Sequence, residues 1–522
     1  MNFSILSANS IRVLSTGVLL LAAGCSTPNA APPAGAPAQA AAPAPEGAFD
    51  DDPRPLAPAE QIVNDAGLDA AKLAAAQQSL LALLKKPDAS ATERQQAAQQ
   101  FGLILLTGDS AGHAAVLNAL APMLADPALS AYARLALDPV PSASLDTLYL
   151  QALLSTSGRT QLGLIDSLGT RGVAAAIPAL AGLLNNPDTA SAAAGALGRI
   201  GGPAALEALA QAKDRLSPAI LDARLVAAAR NDATTSAQVA DEIYRDPAAP
   251  LAARAAALRQ LIAASPAGAT DEIHAVLSGP DSAFHEAAIE SVATLPGRDI
   301  GAKLASRLSS YPPAVQASLI AALGQRDDAS AAPGLLGALD HAEESVRLAA
   351  LDALGRLPGN VEVAQRLATL ATGKGNEAKV AAAALARLNG PGLDDFVRTG
   401  AATESAANLR AVFIQQIAAR NLTEAIPFLL SLRQSPVESL RLEALDALRL
   451  IALAPDQPAL IAWAVGATNR TESARAVRAL ITLITRNGTV ATRAAPVLAA
   501  LESGDSAARL TLLPVLSRVA GA

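Results

Sequence analysis

The chain has 522 residues, 51% of them hydrophobic but only 2% aromatic, so its apolar content is almost all Ala, Leu, Val and Ile. Ala and Leu favour helix and let thin helices pack closely, so the composition predicts an all-α fold. A net charge of −7 with few aromatics excludes the basic stripe and stacking platforms of nucleic-acid binders, and one cysteine excludes an intramolecular disulfide or a cysteine-rich metal site.

Arg12 precedes an apolar run over residues 13–23, too short to span a bilayer but suited to a signal-peptide core. It ends in Leu21-Ala22-Ala23-Gly24-Cys25, which resembles the bacterial lipobox, with Ala22 where that motif most often has Leu. The resemblance implies a signal peptide over 1–24 and a lipid on Cys25. Residues 25–59 then form an Ala/Pro-rich linker, uncharged over 30–45, which cannot bury a core and suits a tether.

Residues 60–142 carry apolar residues at helical spacing over 59–84, 91–107 and 111–124, a region expected to form an N-terminal helical cap. Within it Gly108-Asp109-Ser110-Ala111-Gly112 has the nucleophile-elbow spacing. No sheet pattern or oxyanion-hole segment accompanies it, so a helix end and the next N-cap are the expected roles.

From residue 143 the sequence repeats with a period of about 31 residues, a length that signals a solenoid, in about twelve units to residue 522. Segments such as LIDSLG (164–169), LIAALG (319–324) and ALDALG (350–355) close the second helix of a unit. Pro178, Pro333, Pro427 and Pro496 stand near the start of the first, where a missing N–H has no intrahelical partner to lose. Each unit is read as helix A, turn, helix B. Early in helix B a long polar side chain recurs: Arg224, Arg254, His285, Gln316, Arg347, Lys379, Arg410, Arg441, Arg475 and Arg509. Acids often precede it, among them Asp246, Asp281, Glu343, Glu377, Glu404, Glu438, Glu472 and Asp505. This ladder has two readings: ion pairs that fix the stacking of units, or a ligand-binding stripe.

The pattern Ala-Ile-Pro-Ala-Leu, a Pro-Asp turn, then Ala-Leu-Gly-Arg-Ile-Gly, best seen at 177–201 and 332–359, resembles the short bacterial HEAT repeats also found in phycobilin-lyase-type proteins. The resemblance covers roughly the last 380 residues. It implies an α-solenoid, a HEAT/armadillo-like superhelix of antiparallel helix pairs with helices B lining a concave face.

No other motif argues for chemistry. His113, His274 and His341 are isolated, His285 lies in the ladder, and Asp394-Asp395 and Glu343-Glu344 fall at helix starts, where carboxylates complement the helix dipole. The expectation is a non-enzyme without cofactor, metal or nucleic acid, touching the membrane through its N-terminal lipid alone. It would face the periplasm and bind a protein or peptide on the concave face. Two alternatives are an accessory array of an enzyme, motivated by a final helix B with no polar cap as if the chain continued, and a bilin lyase-like protein, suggested by the repeats and opposed by the export signal.

Overall fold

The computed structural model describes residues 58–66, 70–107, 113–140, 142–486 and 494–519. The signal segment, Cys25, the linker and the Gly-Asp-Ser-Ala-Gly motif lie outside them. Among the described residues every regular element is helical, apart from one isolated bridge between Pro358 and Asn389. No described helix is long and apolar enough to cross a membrane.

The chain divides into two compact units, Met1–Asn231 and Asp232–Ala522. The first opens with α1 (Pro58–Ala66), α2 (Ala70–Lys85), α3 (Ala91–Thr107), α4 (His113–Leu120) and α5 (Ser130–Leu137). Three A/B pairs come after them: α6 (Ala143–Ser155) with α7 (Gly158–Arg171), α8 (Ile177–Leu183) with α9 (Ala190–Ile200), and α10 (Gly202–Ala210) with α11 (Pro218–Ala229). One continuous apolar core runs through this unit from Ala59 to Ala227, so α1–α5 share it with the pairs. Before α3, Ser90 and Glu93 form a capping box: the Ser90 N–H donates to Glu93 Oε2 (2.8 Å) and the Glu93 N–H to Ser90 Oγ (3.2 Å).

Among its described residues the second unit holds nine pairs. They are α12 (Ala233–Arg245) with α13 (Leu251–Ala264), α14 (Ala269–Ser278) with α15 (His285–Thr294), and α16 (Ile300–Ala305) with α17 (Pro313–Leu323). Next come α18 (Ala332–Ala338) with α19 (Glu344–Leu354), α20 (Val361–Ala371) with α21 (Asn376–Arg387), and α22 (Leu393–Thr403) with α23 (Ala407–Ala419). The last are α24 (Ile426–Ser431) with α25 (Glu438–Ile451), α26 (Gln457–Val465) with α27 (Arg470–Arg486), and α28 (Ala495–Ser503) with α29 (Ser506–Val519). Their core runs from Leu258 to Val515. Pro178, Pro333, Pro427 and Pro496 each occupy the first turn of a helix A.

The recurring glycine at the end of helix B has a packing cause. A Cβ at Gly324 would lie 2.7 Å from Ala353 Cα, and one at Gly355 would lie 2.6 Å from Ala384 Cα. Gly169 stands against Ala196 in the same way. Successive helices B therefore cross with backbones touching, which a side chain at that point would prevent.

Candidate functional site

The ladder positions resolve into distinct roles. In six units the fourth residue of helix B reaches a carbonyl in the last turn of its own helix A or in the turn that follows it. Arg254 donates to the Tyr244 carbonyl (2.8 Å), Gln316 to Tyr311 (2.8 Å), Arg347 to His341 and Ala342 (both 2.7 Å) and Arg410 to Ala401 (2.7 Å). Arg441 donates to Ser435 (2.9 Å) and Arg509 to Leu501 (3.0 Å). Tyr244, Ala401 and Leu501 lie in the last turn of helix A, whose carbonyls lack intrahelical donors, whereas Tyr311, His341, Ala342 and Ser435 lie in the turn after it, so the contacts strap the end of helix A or the turn that follows it to helix B. Two of these arginines also pair forward with an acid of the next unit: Arg347 Nε with Glu377 (3.0 Å) and Arg441 Nε with Glu472 (3.1 Å). Most of the remaining acids cap backbone: Asp246, Asp281, Glu404 and Asp505 accept N–H bonds from Ala248, Ala283, Ala406 and Ala508.

Four positions depart from that pattern. Arg224 is the seventh residue of α11 and is buried. Arg475 is the sixth residue of α27 and pairs back with Asp446 (2.5 Å), while the fourth residue, Ser473, makes the bond to the Ala464 carbonyl of α26. Lys379 is exposed; counted from the Gly355–Ala384 contact as Arg347 is from Gly324–Ala353, its unit's equivalent position is Ala378, which is buried. His285 holds the ladder position with a shorter side chain, and its Nε2 is buried without a hydrogen-bond partner.

A second set of arginines, at the C-terminal end of helix B, lies outside the ladder that the repeat pattern reveals. Arg171 donates to the Leu137, Asp138, Val140 and Ser142 carbonyls at 2.8–3.3 Å and to Asp146. Arg326 bonds the Val292, Leu295 and Gly297 carbonyls, and Arg420 those of Leu385 and Leu388 together with Asp394. Each closes the helix ahead of its own unit. A signal for two of them exists in the chain: Arg171-Gly172 and Arg420-Asn421 place an arginine before a left-handed residue (φ 69° and 53°), the mark of a helix C-terminus.

Outward on the helices B, charge pairs bridge successive units: Arg199–Asp166, Arg259–Glu290, Arg387–Asp352 and Arg475–Asp446. Towards α15, α17 presents Ala314, Ser318 and Ala321, with Gln325 just beyond its end, and no charge pair joins the two helices. The result is a groove of about 730 Å³ whose other wall carries His285, Glu286, Ile289 and Glu290. A smaller groove of about 420 Å³ lies between α20 and α22 on the helix-A side, beside the edge-to-face pair Phe396–Phe413.

Several other titratable residues have structural partners. His274 Nδ1 lies 2.8 Å from the Tyr311 hydroxyl, and His341 Nδ1 accepts the Glu343 N–H. Asp394 pairs with Arg420 and Asp395 with Arg398, both from the first turn of α22. Asp138 accepts from Tyr149 (2.6 Å) and Ser167 (2.8 Å), and burial pushes its carboxyl above the ordinary range despite those bonds. No cluster of three metal-ligating side chains occurs among the described residues.

Together these features define a helical-repeat scaffold, an α-solenoid of antiparallel pairs. Residues 146–229 and 301–389 match the family model for HEAT repeats, and the chain carries HEAT repeats there. No curated protein matches the chain. Among solved structures it is similar to Kap95p in a complex with RanGDP: 12% identity, 89% of this chain and 74% of that one, TM-score 0.37. The Kap95:Nup1 complex gives 12%, 88%, 74% and 0.38, and importin beta 14%, 85%, 72% and 0.35.

Proposed function

We propose that the chain is a non-catalytic scaffold, anchored to a bacterial envelope membrane by a lipid on Cys25, that holds a protein or peptide on the helix-B face of its repeats. The α15–α17 groove carries this reading. Its α17 wall of Ala314, Ser318 and Ala321 lets another backbone come close, while the exposed Glu286 offers a polar anchor on the opposite wall. An extended segment bearing a donor or basic group fits such a site. The anchor rests on the lipobox-like segment and the tether-like linker.

Two measurements separate the parts of this proposal. Peptides selected on the full chain should lose about tenfold or more in affinity for Ser318→Arg, which fills the groove floor. Peptides that bind both proteins alike would place the site elsewhere. Cys25→Ala should leave unprocessed precursor without lipid label; unchanged processing and labelling would remove the anchor.

A further inference from the structure

The groove of about 420 Å³ on the helix-A side runs the whole length of α22, from Gly392 just before that helix to Glu404 just after it. Its floor is apolar. Leu409 and Phe413 of α23 line it, and Phe413 meets Phe396 of α22 edge to face with ring centroids 5.3 Å apart. Gly400 makes room for that ring, since a Cβ there would lie 2.5 Å from it. Val361, at the start of α20 and 42% exposed, adds to the α20 wall.

Among the described residues that line this groove, Asp395 and Glu404 alone are charged, and they stand at opposite ends of it. Asp395 lies in the first turn of α22 and Glu404 is its C-cap, so the helix rise sets them about 13 Å apart along the axis. Each keeps a second carboxylate oxygen: Asp395 holds Arg398 through Oδ1, and Glu404 takes the Ala406 N–H on Oε1. Arg398 also reaches Glu424 and does not line the groove. We propose that the groove binds a linear aliphatic diamine lengthwise, with one ammonium on Asp395, the other on Glu404 and the methylene chain along the Phe396–Phe413 floor. About 3 Å for the hydrogen bond at each end leaves about 8 Å between the two nitrogens. That is the reach of about five or six methylenes in extended form. The ends gain charge-assisted bonds while the chain leaves water for the aromatic floor. A peptide in the same place would bring its backbone N–H and C=O groups over that floor, where Gln365 is the one side-chain amide in the lining.

Isothermal titration calorimetry of the full chain at low ionic strength tests this, using α,ω-diaminoalkanes from diaminopropane to diaminododecane. Affinity should peak near diaminopentane and diaminohexane and fall on either side. Hexylamine, with one charge, should bind about fivefold or more weakly than diaminohexane. Asp395→Asn and Glu404→Gln each retain an amide oxygen for the bond to Arg398 or to the Ala406 N–H, so the helix ends keep their contacts. Each should bring diaminohexane down to the level of hexylamine. Affinity indifferent to chain length, or to both substitutions, would overturn the proposal. So would the absence of any diamine binding, or a lysine-rich peptide that binds more tightly than every diamine and is lost with the same substitutions.

Discussion

Glu472 is almost fully buried, yet it gathers Arg441 Nε (3.1 Å), Trp463 Nε1 (2.8 Å) and Thr468 Oγ1 (2.5 Å) around one carboxylate. Burial alone would raise its pKa, but the bonds from Thr468, Trp463 and Arg441 outweigh it and the carboxyl lies below its ordinary value of 4.5. A lowered folded-state pKa contributes stability that is present above the unfolded value and is lost as pH falls through the folded one. The α25–α27 interface should therefore weaken below about pH 4.5. Trp463, the sole tryptophan, reports on it directly by fluorescence. Glu472→Gln should flatten that acid limb and cost about 2–4 kcal/mol at neutral pH, by leaving Arg441 buried without its counter-charge. An acid transition identical in both proteins would assign the pH dependence to other carboxylates. The sequence placed Glu472 beside the ladder but gave no sign that it was buried, because burial here depends on an indole nine residues away in chain and on the preceding unit's arginine.

Two glycines make the element-scale argument separable from composition. Gly355 ends α19 against the Ala384 backbone, whereas a Cβ on Gly337 in α18 would meet nothing within 4 Å. Gly355→Ala should destabilise by about 1–3 kcal/mol through forced separation of α19 and α21. Gly337→Ala should stabilise by about 0.5–1 kcal/mol, since alanine loses less backbone entropy in a helix. Urea denaturation of the two variants checks the opposite signs; equal shifts would mean that helix propensity, not close approach, governs both. The repeating Leu-Gly ends were legible because glycine is written in the chain, as was the A/B alternation set by proline and turn residues. The strap register was less so. It counts from the first residue of helix B, and the early start of α27 moves Arg475 off the strap and brings Ser473 onto it. Letter spacing records residue type but not where a helix begins. The groove between α15 and α17 escaped for a related reason: it is made by small residues on one helix, which carry no motif.

At the scale of the molecule, each unit has its own core, and within each the pairs bury their apolar surface mainly against neighbours in sequence. Stability is then close to a sum of local interfaces, so damage should stay local. Leu351 and Leu354 of α19 are each 1% exposed and face this core, while Arg347 is a partly exposed strap paired with Glu377. The most direct test is hydrogen exchange on Leu354→Asp, which buries an unpaired carboxylate at a cost on the order of several kcal/mol. The expected result is loss of protection over residues 327–389 with the 58–231 unit unchanged, and a much smaller effect from Arg347→Ala. Uniform loss of protection through both units in Leu354→Asp, or a larger loss from Arg347→Ala than from Leu354→Asp, would contradict the account of a chain held together by nearest-neighbour packing of its repeats.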